Sequence, residues 1–399
     1  MVTTAANFGD PMYLAGYDYG GVVKITYNGR VGTGVLLYDG KSILTCAHLF
    51  TNDLTNASVS FLTDVNPVYY QSKSFSLNPN YDGINNNDLA IVSLASNAPT
   101  LAQRYDIYRN KNEISKQFTI VGYGKNGTGN SGYLISSQTS NSRYKAINTF
   151  DADATELKTN LGSSINWTPL PGTQLLADFD NQIATNDALG NLINKNDLGV
   201  GINEGFIAPG DSGGPAFIDA KVSGIASYTT SLRNGLINPD VDNITNSSFG
   251  EIGSWQRIST YQEWIDKTIR GNYINAPSKP ADVKVEITEG NEGLCFAYFL
   301  LTFNGIRANK GDILSVEYST RDGSANAGID YLAVSGKLNL YPGEITAVIP
   351  IEVIGDTQYE QNETFYLDVF NPIGGKFIGN ATTLSAMRTI LNDDANTII

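Results

Sequence analysis

The sequence predicts an all-β protein built from two units, and three observations carry that prediction. Short apolar runs separated by Gly/Asn turns recur through residues 20–120, namely Val22–Tyr27, Gly34–Tyr38, Ser42–Cys46, Val59–Leu62, Leu89–Leu94 and Phe118–Tyr123. That rhythm fits a barrel or sandwich. Regular apolar alternation returns after residue 280, in Val283/Val285/Ile287, in Ile345/Ala347/Ile349/Ile351/Val353 and in Phe365/Leu367/Val369, which predicts an antiparallel β-sandwich. Between these regions lies Asn272–Pro280, a segment with two prolines, a serine and a lysine that reads as a linker.

The remaining segments follow from the same logic. Residues 124–205 are polar and irregular, with Asn/Gly/Asp clusters around 177–197, and are expected to form a second barrel with surface loops. One helix is convincing, Ser259–Ile269. Ser259 or Thr260 can cap it, Tyr261, Trp264, Ile265 and Ile269 form its apolar stripe, and Gly271 stops it. The expected boundaries are 1–270 for the first unit, 271–280 for the linker, 281–394 for the sandwich and 395–399 for a tail.

Bulk properties narrow the function classes. A chain of 399 residues exceeds one compact core of ordinary size. It holds 26 basic and 40 acidic residues, a formal charge of −14, which disfavours nucleic acid or an anionic membrane as partner. Two cysteines, Cys46 and Cys295, are too few for a disulfide framework and read as free, mostly buried thiols. No apolar run approaches membrane-spanning length. Residues 1–7 lack the basic and apolar segments of a signal peptide, so export would require a trimmed leader or another route.

The first unit is organised around Gly210-Asp211-Ser212-Gly213-Gly214-Pro215. Three glycines around one serine cost backbone entropy, which suits a loop that must turn sharply. Such a loop pushes the hydroxyl outward and aims consecutive N–H groups at one point, with Gly210 and Ser212 as donors to an oxyanion. A serine alcohol needs a base to act as nucleophile. The chain contains a single histidine, His48, at the end of the apolar run Ile43–Ala47. A base needs an orienting carboxylate, and Asp88 stands at the mouth of the hydrophobic run Leu89–Val92.

These residues carry a resemblance. LTCAHLF (44–50), NNDLAIVSL (86–94) and GDSGGPAF (210–217) look like the histidine, aspartate and serine motifs of trypsin-like (chymotrypsin-fold) serine proteases, in that family's order. Val222–Tyr228 is similar to the family's substrate-binding strand, and Gly253–Ile265 resembles its final strand and terminal helix. The resemblance covers residues 12–270 and implies a two-barrel chymotrypsin-like domain with a C-terminal helix. It further implies serine endopeptidase activity on a protein or peptide substrate without a catalytic cofactor. Ser212 would be the nucleophile, His48 the base and Asp88 its orienter.

Three departures from the pattern matter. Leu49 stands where the family has a cysteine after the histidine, so packing must hold that loop. The Ile/Val-Val-Gly-Gly start is not visible, which leaves open which amine meets Asp211, the activation-linked aspartate; removal of Met1 would expose Val2. By alignment the specificity pocket has Phe206 at its base and Ser227, Thr229 and Gly253 in its walls. That implies a neutral, narrowed, non-tryptic pocket for small or medium apolar side chains, with nearby Glu204 able to restore some basic preference.

The second unit resembles a Calx-β domain, an immunoglobulin-like sandwich. The resemblance rests on Glu289-Gly290, residues 321–331, Pro342-Gly343-Glu344, Gly355-Asp356-Thr357, Glu360, Glu363-Thr364-Phe365 and residues 390–394. Calx-β domains of the sodium–calcium exchanger bind calcium at one end through loop carboxylates. Position by position, the resemblance implies Glu289, Asp330, Asp356, Glu360, Glu363, Asp393 and Asp394 as calcium candidates. Gly355, Thr357 and Asn392 replace acids of the exchanger domains, so fewer or weaker sites are expected. The pairing of the two domains suggests an exported or surface-located bacterial enzyme. A calcium-dependent adhesion protein with a scaffold-only protease domain, and a narrow processing protease, remain as alternatives, and oligomeric state is unassigned.

Overall fold

The computed structural model describes residues 3–50, 56–63, 66–136, 138–273 and 275–395. The chain divides into two compact units, with the division between Ile265 and Asp266 and with Tyr38–Gly40 counted in the second.

In the first unit, Val22–Tyr27, Arg30–Leu36, Ser42–Thr45, Ala90–Leu94, Pro67–Leu77 and Ser58–Leu62 hydrogen-bond in that order into a closed six-stranded barrel. Its lining is apolar: Val23, Ile25, Val35, Ile43, Leu44, Val59, Ile91 and Val92 are fully buried. Pro67–Leu77 is the strand that the apolar pattern misses. It is mostly exposed and rich in Ser, Tyr and Gln, yet it bridges two barrel strands.

A second, curled sheet has seven strands in the order Tyr144–Thr149, Gln117–Gly122, Pro215–Ile218, Lys221–Thr230, Ile252–Arg257, Gln174–Asp178 and Ala152–Asp153. Its core is aromatic. Phe118 and Phe150 stack at 3.8 Å, and the fully buried Trp255 meets their edges at 5.1 and 5.7 Å.

The region expected to be irregular also holds two short helices, Ala154–Leu161 and Ala188–Ile193. Each begins with an aspartate cap, Asp153 accepting from the Thr155 amide and Asp187 from the Gly190 amide. With so few turns, their apolar periodicity is too brief to read.

The long helix runs from Ile258 to Gly271 and buries Tyr261, Ile265 and Ile269. Its start is secured otherwise than by a Ser or Thr cap. Ser259 donates to Glu113 (2.5 Å), which also takes the Arg257 guanidinium, and Thr260 donates to the Gly172 carbonyl (2.8 Å).

In the second unit, one sheet orders Glu286–Thr288, Thr383–Leu391, Glu363–Ile373, Leu314–Asp322 and Ser335–Leu340, and the other pairs Gly293–Thr302 with Thr346–Gly355. The core lies between them. Phe365 stacks on Tyr331 at 4.6 Å and meets Phe299 edge-on at 5.9 Å, with Ile349, Ile351, Val353 and Leu367 around them. Two expectations need correction. The pairing of Glu286–Thr288 with Thr383–Leu391 is parallel, and of the alternating set Val283/Val285/Ile287 only Ile287 packs on the core, Val285 being 51% exposed.

Phe365→Ala should lower the stability of the second unit by about 3–5 kcal/mol, and Phe365→Leu by clearly less. Denaturant midpoints of the full-length variants measure this, and an unchanged midpoint in Phe365→Ala would refute this account of the core.

Candidate functional site

His48 follows the barrel strand Ser42–Thr45, and Asp88 precedes its partner Ala90–Leu94. Adjacent strand ends thus bring the two together across 40 residues of sequence. Asn87, at φ 56°, makes the turn into Asp88, a left-handed conformation that asparagine tolerates. Its side chain is anchored, donating to the Asn80 carbonyl (2.8 Å) and accepting from the Tyr261 hydroxyl (3.2 Å).

Asp88 is fully buried and accepts three hydrogen bonds. Oδ1 takes the His48 amide (2.8 Å), and Oδ2 takes His48 Nδ1 (2.6 Å) and the Ser227 hydroxyl (2.6 Å). This fixes the imidazole with its proton on Nδ1 and leaves Nε2 turned away from Asp88. Ser227, expected as a pocket wall, is thus a partner of the aspartate; a serine in a strand gives no sign of such a contact.

Ser212 and His48 border one cleft of about 660 Å³, together with Gly210, Leu49, Arg30 and Lys125. The serine loop is tied to the barrel by backbone-directed bonds. The Thr33 amide donates to the Ser212 carbonyl (2.9 Å), the Thr33 hydroxyl to the Gly210 carbonyl (2.8 Å), and the Thr45 hydroxyl to the Thr33 carbonyl (2.7 Å). Gly213, at φ 81°, has no room for a side chain, since a Cβ would stand 2.0 Å from Thr45 Oγ1. Gly210 adopts φ 100°. The neighbouring amides of Asp211, Gly213 and Gly214 donate to carbonyls, whereas those of Gly210 and Ser212 have no acceptor among the described residues. Ser212 Oγ is not hydrogen-bonded to Nε2, whose near polar neighbour is the buried Cys46 Sγ at 3.7 Å. Catalytic hydrogen bonds of this kind commonly tighten only when substrate is bound.

Asp211 is also fully buried, and Oδ1 and Oδ2 accept from the Gly124 (2.7 Å) and Ala208 (3.0 Å) amides. Burial raises its pKa, and these amides act against that. Met1 and Val2, on which the open question of an amine for Asp211 bears, lie outside the described residues.

The pocket reading needs correction. Phe206 is fully buried, stacked parallel to Phe179 at 5.4 Å in a cluster with Phe249, and is not part of the cleft that Ser212 borders. Gly253 faces the same ring, a Cβ there coming within 2.8 Å of Phe206. Thr229 is half-buried opposite Gly253 in the strand ladder. Glu204 is fully buried and accepts from the Val200 amide (2.6 Å), so it presents no charge to the cleft. Alignment places Phe206 at a pocket base, whereas its ring packs on Phe179 in a buried cluster with Phe249.

In the second unit the seven acidic candidates gather at one end of the sandwich. Oxygens of Glu289, Asp393 and Asp394 lie within 4.8 Å of one another, as do those of Asp330, Glu360 and Glu363. Asp356 acts on both Glu289 and Glu360. Glu289 and Glu363 are pushed from 4.5 to about 7, through loss of solvent and then neighbouring acids, Asp356 foremost for Glu289 and Asp330 for Glu363. Two side-chain amides join them, Asn392, which replaces an acid, accepting from the Glu360 amide (3.0 Å), and Asn291, missed in the sequence, donating to Asp394 (3.1 Å).

His48 is held above its ordinary 6.5, with the neighbouring Cys46 sulfur as the first cause. Burial opposes this, while hydrogen bonds to Asp88 and Cys46 reinforce it. Cys46→Ala should lower the His48 titration midpoint, leaving Asp88 to hold it above 6.5. Because the chain has one histidine, a single imidazole NMR signal followed with pH reads both midpoints. Equal midpoints in the two proteins would exclude control by the sulfur.

Comparison with known proteins agrees with this division of the chain. The trypsin family matches residues 13–166, a stretch that includes His48 and Asp88 and ends before Ser212. The Calx-beta domain family matches residues 301–394, which hold six of the seven acidic candidates and leave out Glu289. Among curated proteins, the chain is 42% identical over 88 residues to the sodium/calcium exchanger Calx of Drosophila melanogaster, covering 21% of this chain and 9% of that protein. It is 41% identical over 92 residues to the human sodium/calcium exchanger 2, covering 20% and 10% respectively. The chain thus spans about a tenth of the length of these relatives. No helix among the described residues is long and apolar enough to cross a membrane. The chain therefore carries a trypsin domain followed by a Calx-beta domain.

Proposed function

We propose that the first unit is a serine endopeptidase acting through an acyl-enzyme. The observation that carries this reading is a buried Asp88 clamping His48 Nδ1 at 2.6 Å, in a cleft shared with Ser212 and two amides without protein acceptors. Nε2 takes the Ser212 proton as Oγ bonds to the peptide carbonyl carbon, and the carbonyl π pair moves to oxygen. The Gly210 and Ser212 amides receive that oxyanion, an interaction worth about 3–4 kcal/mol per donor. Nε2 then protonates the departing amine as the C–N bond breaks. Water repeats the sequence on the acyl-enzyme and restores Ser212. With no acid open to the cleft at Phe206 or Glu204, uncharged side chains beside the scissile bond are favoured over Lys or Arg.

We assign calcium to the acidic end of the second unit, supported by the convergence of seven carboxylates and the absence of an ion pair to them among the described residues. Calcium takes six to eight oxygens, largely carboxylate and carbonyl. A location outside the cell, where calcium is plentiful, fits both units; detection of the protein in the medium and not in the lysate of its source tests it.

A fluorophosphonate should label the wild-type chain and not Ser212→Ala, which should also lose about 10⁴-fold or more in kcat/KM on peptides with Ala, Val or Leu beside the scissile bond. An unlabelled wild-type protein would favour a scaffold-only domain. The second unit gives a separate test. Glu289 and Glu363 have folded-state values of about 7 against 4.5 unfolded. Folding therefore favours their protonated forms, and this contribution is full below pH 4.5 and lost as pH rises through 7. In chelator the unfolding midpoint of this unit should fall across that window, and calcium should remove the fall. A midpoint indifferent to millimolar calcium would rule the ion out.

A further inference from the structure

A second group of carboxylates lies in the first unit, away from every residue assigned above except Glu204. Asp178 ends the strand Gln174–Asp178, Asp180 follows it, and Asp187 caps the helix Ala188–Ile193. All three are buried, at 0%, 4% and 3% exposure, and one oxygen from each lies within 4.8 Å of the others. Glu204, also at 0%, joins them across Gly199. A Cβ on that glycine, at φ 76°, would stand 2.7 Å from both Asp180 Cβ and Glu204 Oε2.

Backbone amides satisfy only part of this group. Asp178 Oδ2 accepts from Leu189 (2.7 Å), Asp187 Oδ1 from Gly190 (2.6 Å) and Glu204 Oε2 from Val200 (2.6 Å). Asp180 Oδ1 and Glu204 Oε1 are buried without any hydrogen-bond partner, while the Asp178 carboxylate meets the side chain of Asp151. No Lys, Arg or His among the described residues neutralises them; the charged neighbours that act on them are further acids, Asp151 and Asp197 included. Buried carboxylates with open lone pairs and no counter-charge are costly unless a cation is bound or the groups are protonated.

We propose that Asp178, Asp180, Asp187 and Glu204 form a calcium site within the trypsin domain, separate from the acidic end of the sandwich. The donor set is all oxygen, which selects a hard cation over zinc or copper. Oxygens about 2.3–2.6 Å from one calcium ion can stand up to about 5 Å apart, so the oxygens of this group lie within calcium's reach. Main-chain carbonyls and water complete the coordination. The ion links the end of Gln174–Asp178, whose Ala177 pairs with Gly253, to Glu204, which directly precedes Gly205–Phe206 and the approach to the serine loop. Its occupancy would thereby set the order of the segment leading to Gly210 and Ser212.

The test uses the full chain with the sandwich end neutralised by Glu289→Gln, Asp330→Asn, Asp356→Asn, Glu360→Gln, Glu363→Gln, Asp393→Asn and Asp394→Asn. After dialysis against micromolar calcium, elemental analysis should still find about one calcium per chain, and calcium should raise the unfolding midpoint of the first unit. Adding Asp180→Asn should weaken calcium binding roughly tenfold or more. The same change removes repulsion among buried acids, so it should raise the midpoint in chelator while abolishing the further rise with calcium. A sandwich-neutralised chain that retains no calcium and shows no calcium-dependent midpoint would overturn the proposal. So would an Asp180→Asn chain that binds and responds like its parent. Neither readout requires peptidase activity, so failure here is distinguishable from failure of the protease reading.

Discussion

The carboxylate of Asp88 is the point on which the first unit depends. It has no exposure to water, and its three hydrogen bonds come from the His48 main chain, the His48 ring and a hydroxyl on a strand of the other sheet. A buried carboxylate stripped of such donors is strongly unfavourable, so the fold and the orientation of the imidazole are secured by the same contacts. Ser227 matters here because it makes the second sheet a party to the geometry of a pair otherwise held by two adjacent strands of the first barrel.

The serine loop is joined to that framework by a different kind of bond. Thr33 uses its amide and its hydroxyl to hold the Ser212 and Gly210 carbonyls. The amides of Gly210 and Ser212 have no acceptor among the described residues. Unpaired backbone donors are unfavourable for folding, and on the proposed reading they would receive a developing negative charge. Gly210 and Gly213 permit it, because their positive φ values would strain other residues.

A chain of net charge −14 would be expected to spread its acids over the surface. Here several are drawn inward instead. Asp178, Asp180 and Glu204 in one unit, and Glu289 and Asp330 in the other, are buried with other acids as their charged neighbours. Both groups join separate segments of chain, so any cation held there would cross-link them.

Much of this was legible in the residues alone. The apolar alternation of Phe365/Leu367/Val369, the run into His48 and the glycines around Ser212 each reflect a local requirement: a strand face, a strand end, a turn with positive φ. Local requirements are written locally, so sequence determined the strand-rich fold and singled out His48, Asp88 and Ser212, which the structure brings to one cleft or its edge. The polar strand Pro67–Leu77 and the short capped helices escaped because their burial depends on neighbours and not on their own pattern. What only the tertiary structure decided are the meetings of distant groups: Ser227 turning to Asp88, Cys46 lying beside Nε2, Phe206 closing against Phe179, and Glu204 turning inward to Asp180. Each is fixed by side-chain volume and direction across segments separated by many residues, information that the order of amino acids holds only through the fold as a whole.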